Sequence, residues 1–213
     1  MKEAVIFDLD GVIVSTDAYH YKAWKAMADS EGIYFDEEIN NRLRGVSRME
    51  SLEIILERAE KEYTDEEKEI MATAKNDIYK ESLSQLTPED ILPGVMETLT
   101  ELRSMGIKLA IGSSSKNTPI ILKQIGLSDY FDAIVDGNGI KNSKPDPEVF
   151  LLAAKLLNVE PEKCTVIEDA FAGIDAAKAG NMLAVGVGDA SRYEKADIVG
   201  ATPADISPER IVE

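Results

Sequence analysis

Two aspartates separated by one residue follow an apolar run near the start of the chain. The run Val5-Ile6-Phe7 leads into Asp8-Leu9-Asp10-Gly11. Such a run predicts a strand buried on both faces of a parallel sheet, so the two carboxylates fall at its carboxyl end, where open α/β sheets bind their ligands. Two carboxylates this close repel each other unless a cation or a shared proton intervenes. Mg²⁺ beside a phosphate is the economical solution.

The same pair of aspartates can carry out phosphoryl transfer. One carboxylate can attack phosphorus and hold the group as an aspartyl phosphate, and a second one, two residues on, can move a proton to or from a substrate hydroxyl. Alternation along a strand predicts that Asp8 and Asp10 point the same way. Gly11 permits a sharp turn where a side chain would block the ligand. A turn-capping pair, or a metal site without catalysis, is the alternative interpretation.

A run of small hydroxyl side chains follows a second predicted strand. Ser113 and Ser114 lie after Ile111-Gly112, where hydroxyls and backbone N–H groups suit phosphate oxygens. Ser115 and Asn117, in the same run, can equally be plain helix caps ahead of a proline.

A lysine and a second acid pair complete the set of polar residues at strand ends. Lys144, fixed by the adjoining proline, can act as an electrostatic clamp on a transferring phosphoryl group, although an exposed lysine in a helix-initiating loop is the commoner case. Glu168 and Asp169 follow the buried run Val166-Ile167 and can complete an oxygen-rich Mg²⁺ site. A capping aspartate is the alternative for this pair.

The elements that must position these residues are a parallel sheet and one helical insertion. Strands and helices alternate from residue 94 onward, which predicts an α/β fold with a doubly wound parallel sheet, covered by helices on both faces. Residues 15–87 predict an all-helical cap domain inserted after the first strand, and residues 1–14 and 88–213 predict the core domain. An insertion there is positioned to close over the ligand. The predicted strands after the first are 108–112, 133–136, 165–168, 183–187 and 196–199, and the predicted helices run from residue 15 or 16 toward 32, from 47 to 59, from 64 to 83, and over 94–105, 118–126, 147–157 and 172–179.

Local signals mark the ends of the predicted insertion and of its helices. Ser15 or Thr16 can cap the first helix, and the segments 47–50 and 64–67 each have the residue types of a capping box. The Thr87-Pro88 segment, through which the insertion returns to the core, can act as a second hinge strand.

Composition restricts the class of partner. The 213 residues carry a net charge of −17 and are 44% hydrophobic. The chain therefore has material for a packed core, and the charge argues against nucleic acid or an anionic membrane as a partner. Cys164 is the single cysteine, which fits a reducing compartment, and no run approaches the length of a membrane span. We expect a cytoplasmic monomer.

The order of the motifs resembles the haloacid dehalogenase superfamily of phosphotransferases. An acid pair, a hydroxyl, a lysine and a second acid pair follow successive strands, and the resemblance covers essentially the whole chain. It implies a Rossmann-like core with a cap and Mg²⁺ as cofactor. Carried over residue by residue, it makes Asp8 the nucleophile and Asp10 the general acid/base, whose backbone carbonyl also binds Mg²⁺. The resemblance also implies that Ser113 and Lys144 bind the transferring phosphoryl group. It implies Asp8, Glu168 and Asp169 as ligands of the metal.

Within the superfamily the cap resembles that of the sugar-phosphate mutases. The similarity lies in Thr16, in the segment from His20 to Trp24, in residues 43–48 (Leu-Arg-Gly-Val-Ser-Arg), and in Lys116-Asn117 of the core. It implies that the chain interconverts β-glucose 1-phosphate and glucose 6-phosphate through a 1,6-bisphosphate. Arg48 would bind the phosphate that is not reacting, and His20 would orient Asp10. The substrate- and phosphate-binding residues implied in this way are Thr16, His20, Trp24, Arg44, Gly45, Val46, Arg48, Ser113, Ser114, Lys116, Asn117 and Lys144.

Other interpretations of the cap and of the activity stay open. His20 can be a structurally satisfied histidine, Trp24 a core aromatic, and the two arginines Arg44 and Arg48 a solvated surface. Mutases of this type often carry lysine at position 44, and an ammonium is not interchangeable with a guanidinium. A sugar-phosphate phosphatase on the same scaffold is the first competing function. A phospho-acceptor module for signalling is the second, although such a module needs neither the cap nor a proton shuttle.

Overall fold

The computed structural model describes residues 1–43 and 46–213. The chain divides into two compact units, Met1–Ser15 with Leu86–Glu213, and Thr16–Gln85. The first boundary predicted from the sequence lies one residue earlier than the observed one, and the second predicted boundary lies two residues later. We call the first unit the core domain and the second the cap domain.

The core domain is built on a six-stranded sheet. Its strands are β1 (Ala4–Phe7), β2 (Lys108–Gly112), β3 (Ala133–Val135), β4 (Cys164–Glu168), β5 (Leu183–Gly186) and β6 (Ile198–Val199). Every neighbouring pair of strands is parallel. The order β3-β2-β1-β4-β5-β6 places β1 and β4 at the point where the strand order reverses. The predicted doubly wound parallel fold is confirmed.

Helices alternate with these strands because their apolar stripes need the sheet to cover them. The helices of the core domain are α5 (Val95–Ser104), α6 (Thr118–Gln124), α7 (Glu148–Leu157), α8 (Phe171–Ala179) and α9 (Pro208–Ile211). One face of the sheet, including Ala4 and Ile6 of β1, packs against α7 and α8. Val5 and Phe7, which alternation places on the opposite face, are also fully buried.

The cap domain contains α1 (Asp17–Ser30), α2 (Glu37–Asn41), α3 (Arg48–Leu56) and α4 (Asp65–Leu83). Both predicted capping boxes are present, at Ser47 with Glu50 and at Thr64 with Glu67. In each box the hydroxyl accepts the N–H of the glutamate and the carboxylate accepts the N–H of the capping residue, which satisfies two donors that a helix start otherwise leaves unpaired. The domain encloses its own apolar cluster, which includes Trp24, Leu52, Ile55 and Met71.

Several local predictions were wrong. β1 ends at Phe7, and Asp10 forms an isolated bridge with Val14 instead of continuing the strand. Strand alternation therefore does not extend to Asp10. Thr16 precedes α1 without a side-chain capping bond.

The second hinge strand was also placed wrongly. The Thr87-Pro88 segment forms a 3-10 turn over Pro88–Asp90. The antiparallel pairing lies beyond it, where Ile91 bridges Val14 and the N–H of Leu92 donates to the carbonyl of Ile13 at 2.9 Å. A proline has no N–H for a strand ladder, which explains the shift. The short α9 was not predicted.

Candidate active site

The carboxyl ends of β1 and β4 bring three carboxyl groups together. The two strands are hydrogen-bonded neighbours, and the pairing continues beyond β1, where the N–H of Asp8 donates to the carbonyl of Ile167 at 2.9 Å. Asp8 therefore lies beside Glu168 and Asp169, and carboxylate oxygens of all three lie within 4.8 Å of one another. Asp8 and Glu168 are buried. The carboxylate of Asp10 is not among the members of this cluster, as far as the described residues show.

Lys144 supplies the positive charge at the centre of this cluster. Its Nζ donates to Oδ1 of Asp8 and to Oε1 of Glu168, each at 2.5 Å, and the residue is 8% exposed. An ion pair removed from water is stable only when its geometry and hydrogen bonds compensate for lost hydration, and the two short bonds meet that need. The lysine is therefore not the exposed loop residue that was the commoner alternative.

Burial raises the proton affinities of two of the three acids, Asp8 and Asp169, and the neighbouring carboxylates add to that effect. Burial raises the pKa of Asp8 to about 7, against the pull of the Lys144 ammonium and with a further push from Glu168. Burial, then the charges of Glu168 and Asp8, raise the pKa of Asp169 to about 9. The pKa of Lys144 is raised because Asp8 and Glu168 outweigh the opposing effect of burial. The cluster therefore has more acidic groups than its one ammonium can balance.

A divalent metal ion fits this donor set. Mg²⁺ prefers oxygen ligands at about 2.0–2.1 Å, so small side-chain shifts can bring oxygens that lie within 4.8 Å onto one ion. The two oxygens of Glu168 are already engaged, one by Lys144 and the other by the N–H of Ala170 at 2.8 Å. A carboxylate oxygen can accept more than one contact, so Glu168 can hold the lysine and remain a metal ligand beside Asp8 and Asp169.

Gly11 lies directly against this cluster. Its φ is +82°, a conformation that other residues rarely adopt, and a Cβ at this position would lie 2.1 Å from Oδ2 of Asp169. The predicted sharp turn is present, and the side chain that glycine avoids would strike the second acid pair.

The pKa shifts predict how stability depends on pH without metal. The folded protein holds protons on Asp8 and Asp169 that the unfolded chain releases above about pH 4. The contribution of these two groups to the free energy of unfolding is therefore fully present below their unfolded pKa values. It is lost as the pH rises through about 7 for Asp8 and about 9 for Asp169. We expect the Tm of metal-free protein to fall between pH 5 and pH 9 by on the order of 5 °C more than that of Asp169→Asn.

Calorimetry with and without Mg²⁺ tests this expectation. The ion should raise Tm more at pH 8 than at pH 5, because protons compete with it at low pH. An equal rise at both pH values, or one that persists in Asp169→Asn, would contradict the assignment of the cluster to a metal.

The Ser113 loop is held in a form that leaves a hydroxyl hydrogen available. Ser113 is buried, and its Oγ accepts the N–H of Ser115 at 3.1 Å, so its O–H can donate elsewhere. The buried Oγ of Ser114 has no hydrogen-bond partner in the part of the chain that the structure describes. Asn117 is buried and precedes α6 without a side-chain capping bond, whereas Lys116 is exposed.

In the cap domain, His20 belongs to a buried polar cluster. Its ring stacks on Tyr79 with centroids 4.0 Å apart, and its Nδ1 lies 2.9 Å from Nζ of Lys75. An ammonium only donates, so Nδ1 accepts and the ring's hydrogen lies on Nε2. Thr16 contacts Tyr79 through their hydroxyl oxygens at 2.8 Å. The Lys75 ammonium also lies 4.7 Å from the centroid of the Trp24 ring. Trp24 belongs to the apolar cluster of the cap domain, which agrees with the alternative interpretation of Trp24 as a core aromatic.

Lys75 and Tyr79 were missed in the sequence. Lys75 is 3% exposed although it is a lysine. The available signal was its position, because it lies on the same helical face as Met71 and Tyr79, at spacings of four. A lysine on an apolar stripe is a buried cation that needs partners.

Two of the remaining predicted residues of the cap, Val46 and Arg48, lie just before and at the start of α3. Arg48 is its first residue and is half-buried; burial lowers the pKa of Arg48, and Glu69 and Asp77 of α4 oppose that effect. Val46 is 38% exposed. Arg44 and Gly45 fall outside the described residues.

Comparison with known proteins decides the family. The family model for haloacid dehalogenase-like hydrolases matches residues 2–181. The chain belongs to this family. The membership expected from the order of the motifs is thereby confirmed.

Individual relatives are similar over nearly their whole length. This family member is 47% identical to a β-phosphoglucomutase of Bacillus subtilis, over 99% of this chain and 94% of that one. A solved β-phosphoglucomutase structure from Clostridium difficile matches with a TM-score of 0.91 and 47% identity, over 98% of this chain and 95% of that one. A phosphorylated carbohydrates phosphatase of Thermotoga maritima is 36% identical, over 99% and 96%. No helix in the described parts of this family member is both long and apolar enough to cross a membrane.

Proposed function

We propose that this protein is a β-phosphoglucomutase that interconverts β-glucose 1-phosphate and glucose 6-phosphate. The observation that carries the chemistry is the buried contact of Lys144 with both Asp8 and Glu168, beside Asp169, at the ends of two adjacent strands. The observation that favours a mutase is the 47% identity to a β-phosphoglucomutase over nearly both whole chains.

Asp8 is the nucleophile in this proposal. A carboxylate oxygen of Asp8 forms a bond to phosphorus while the bond between phosphorus and the donor oxygen breaks, giving an aspartyl phosphate. The Lys144 ammonium, 2.5 Å from Oδ1, favours the ionised carboxylate and stabilises charge on the transferring group. The hydroxyls of Ser113 and Ser114 donate to its equatorial oxygens.

Asp10 is the general acid/base. It protonates the oxygen that leaves phosphorus in one direction and removes the proton of the attacking hydroxyl in the other. The phosphoryl group of Asp8 first passes to one hydroxyl of β-glucose 1-phosphate to give the 1,6-bisphosphate. Asp8 then takes the phosphoryl group from carbon 1, which leaves glucose 6-phosphate.

Mg²⁺ is the proposed cofactor, held by Asp8, Asp169 and the backbone carbonyl of Asp10. Glu168 stays a predicted further ligand, and its carboxylate also holds Lys144. When bound, the ion supplies the positive charge that the three acids lack and polarises the phosphoryl oxygens.

The substrate contacts of Thr16, His20, Trp24, Arg44, Gly45, Val46, Arg48, Lys116 and Asn117 stay predictions from the sequence. Lys75 supports one of them, since it sets the tautomer of His20. A monomer in the cytoplasm, with a sugar phosphate as its small-molecule partner and neither nucleic acid nor membrane, completes the proposal.

A sugar-phosphate phosphatase is the second candidate, and the 36% identity to a carbohydrate phosphatase favours it. The two functions share the aspartyl phosphate and differ in whether a sugar hydroxyl or water receives the phosphoryl group. The deciding assay supplies β-glucose 1-phosphate, Mg²⁺ and a trace of the 1,6-bisphosphate. Glucose 6-phosphate without free phosphate supports the mutase, whereas free glucose with stoichiometric phosphate overturns it.

Arg48→Ala separates the two candidates within the protein. If Arg48 binds the phosphate that is not reacting, its loss should lower mutase kcat/KM by about 10²-fold, the scale of one charge-assisted contact or slightly more. Hydrolysis of p-nitrophenyl phosphate, which has no second phosphate, should change less than threefold. Equal losses in the two assays would favour the phosphatase, and Arg58→Ala, a change at another cap arginine, is the matched control.

A further inference from the structure

One carboxylate holds the loop that carries Lys144. Glu148, the first residue of α7, accepts the N–H of Lys141 on Oε1 at 3.0 Å and the N–H of Asn142 on Oε2 at 2.8 Å. The side-chain amide of Asn142 donates to the same Oε2 at 3.1 Å. Three donors from two neighbouring residues therefore converge on a single side chain. The backbone bonds from Lys141 and Asn142 also lower the pKa of Glu148, so the acceptor stays ionised at neutral pH.

The remainder of the loop is closed by its own hydrogen bonds. The N–H of Asp146 donates to the carbonyl of Ser143 at 3.1 Å, and the N–H of Glu148 donates to Oδ1 of Asp146 at 2.9 Å. Lys144 thus lies inside the Ser143–Asp146 turn, and Glu148 holds the two residues that precede this turn. The backbone from which its long side chain extends has little freedom.

The first turn of α7 also supports the ammonium itself. Nζ of Lys144 lies 4.8 Å from the centroid of the Phe150 ring, a distance at which a cation is attracted to the ring face. Phe150 is fully buried and lies against Gly112 of β2, where an added Cβ would come within 2.8 Å of the ring. The position of Lys144 therefore depends on residues 148 and 150 together, one for its backbone and one for its charge.

We propose that Glu148 is a positioning residue for phosphoryl transfer, which acts by fixing the loop that delivers the Lys144 ammonium to Asp8. This rests on the proposed function, in which Lys144 binds the transferring group. Lysine has four rotatable side-chain bonds, so two contacts of 2.5 Å require a fixed backbone at its origin. A displacement of about 1 Å in such a group can cost on the order of 10²-fold in rate.

Glu148→Gln is the variant that tests the proposal. Glutamine has the same shape, but its NH₂ group cannot accept a hydrogen bond, so at least one of the donors from residues 141 and 142 loses its acceptor. We expect kcat/KM for p-nitrophenyl phosphate to fall by about 10- to 100-fold, with faster hydrogen exchange at the amides of Lys141 and Asn142. Glu97→Gln is the matched control, because Glu97 is an acid in the first turn of α5, a helix of the same ten residues in length.

A double-mutant cycle distinguishes positioning from a general effect on folding. If Glu148 acts through Lys144, then Glu148→Gln should lower kcat/KM by less than about twofold in a Lys144→Met background. A contribution to folding alone would instead give the same loss in both backgrounds. The affinity for inorganic phosphate in Mg²⁺ buffer, measured by calorimetry on the same four proteins, should follow the same pattern.

The outcomes separate failure of this inference from failure of the proposed function. Full activity of Glu148→Gln, or losses that multiply in the double variant, would overturn the positioning role and leave Lys144 in place. Full activity of Lys144→Met would overturn both. A loss in Glu97→Gln equal to that in Glu148→Gln would assign the effect to the helix dipole and overturn the inference.

Discussion

Asp8→Asn is expected to abolish the phosphorylated enzyme and to lower mutase turnover by at least about 10⁴-fold, the scale of losing a nucleophile that acts as part of a unit. An amide oxygen does not attack phosphorus at a useful rate, and the other carboxylate that contacts Lys144, that of Glu168, already accepts hydrogen bonds on both of its oxygens. Turnover of β-glucose 1-phosphate and intact mass after exposure to the 1,6-bisphosphate measure the two effects.

The same variant should not unfold the protein. The substitution removes one of the three carboxyl groups of the cluster, and the carbonyl of the substituted amide can still accept from Lys144. We expect the Tm of metal-free Asp8→Asn at pH 8 to equal or exceed that of the wild type, because the charge that burial and Glu168 oppose is gone. Asp129→Asn, a change at an exposed loop carboxylate, is the control. A variant that keeps full mutase turnover would exclude Asp8 as the nucleophile.

Lys144→Met is expected to impair both catalysis and stability. Loss of one electrostatic donor from a buried site costs about 10²–10³-fold in kcat. Removal of one partner from a buried ion pair costs about 3–5 kcal/mol, and here two carboxylates lose the same partner. Turnover and urea unfolding at pH 8 measure the two losses.

The pH dependence of the stability loss in Lys144→Met identifies its cause. In Lys144→Met the carboxylate of Asp8 can take up a proton, so the loss of stability should shrink between pH 8 and pH 5 as Asp8 is neutralised. Lys163→Met breaks an ion pair whose two side chains are each 53% exposed, and it should change the urea midpoint of unfolding far less than Lys144→Met does at pH 8. A loss for Lys144→Met that is equally small would mean that the buried cluster does not depend on its cation.

The positions of the acid pairs were predictable because strand ends are a local property. The apolar run before Asp8 and the run before Glu168 each predicted a buried strand, and parallel strands expose their carboxyl ends at one edge of a sheet. The capping boxes at Ser47 and Thr64 were equally predictable, since each involves residues three apart. Where local rules failed, a nearby constraint prevailed, as at Pro88, which lacks the N–H that a hinge strand needs.

The roles of the polar residues were less predictable, because a role depends on partners that are distant in the chain. Glu168 was predicted only as a metal ligand, but its oxygens also accept from Lys144 and Ala170. Lys75 and Glu148 were not singled out at all. Nothing in the residues around position 75 indicates that its ammonium meets His20, 55 residues away, and Glu148 looks like an ordinary acid in a helix first turn.

The amino-acid sequence alone therefore established the doubly wound core, the helical insertion, the family, and the acids that follow β1 and β4. These depend on periodicity and on short spacings, which are visible along a single stretch of chain. The tertiary structure was needed to show that Lys144 joins Asp8 to Glu168 across separations of 136 and 24 residues, and that Glu148 holds the loop from which Lys144 reaches them. Such contacts are set by which strands become neighbours and by how helices pack on them, and no local pattern of residues encodes that arrangement.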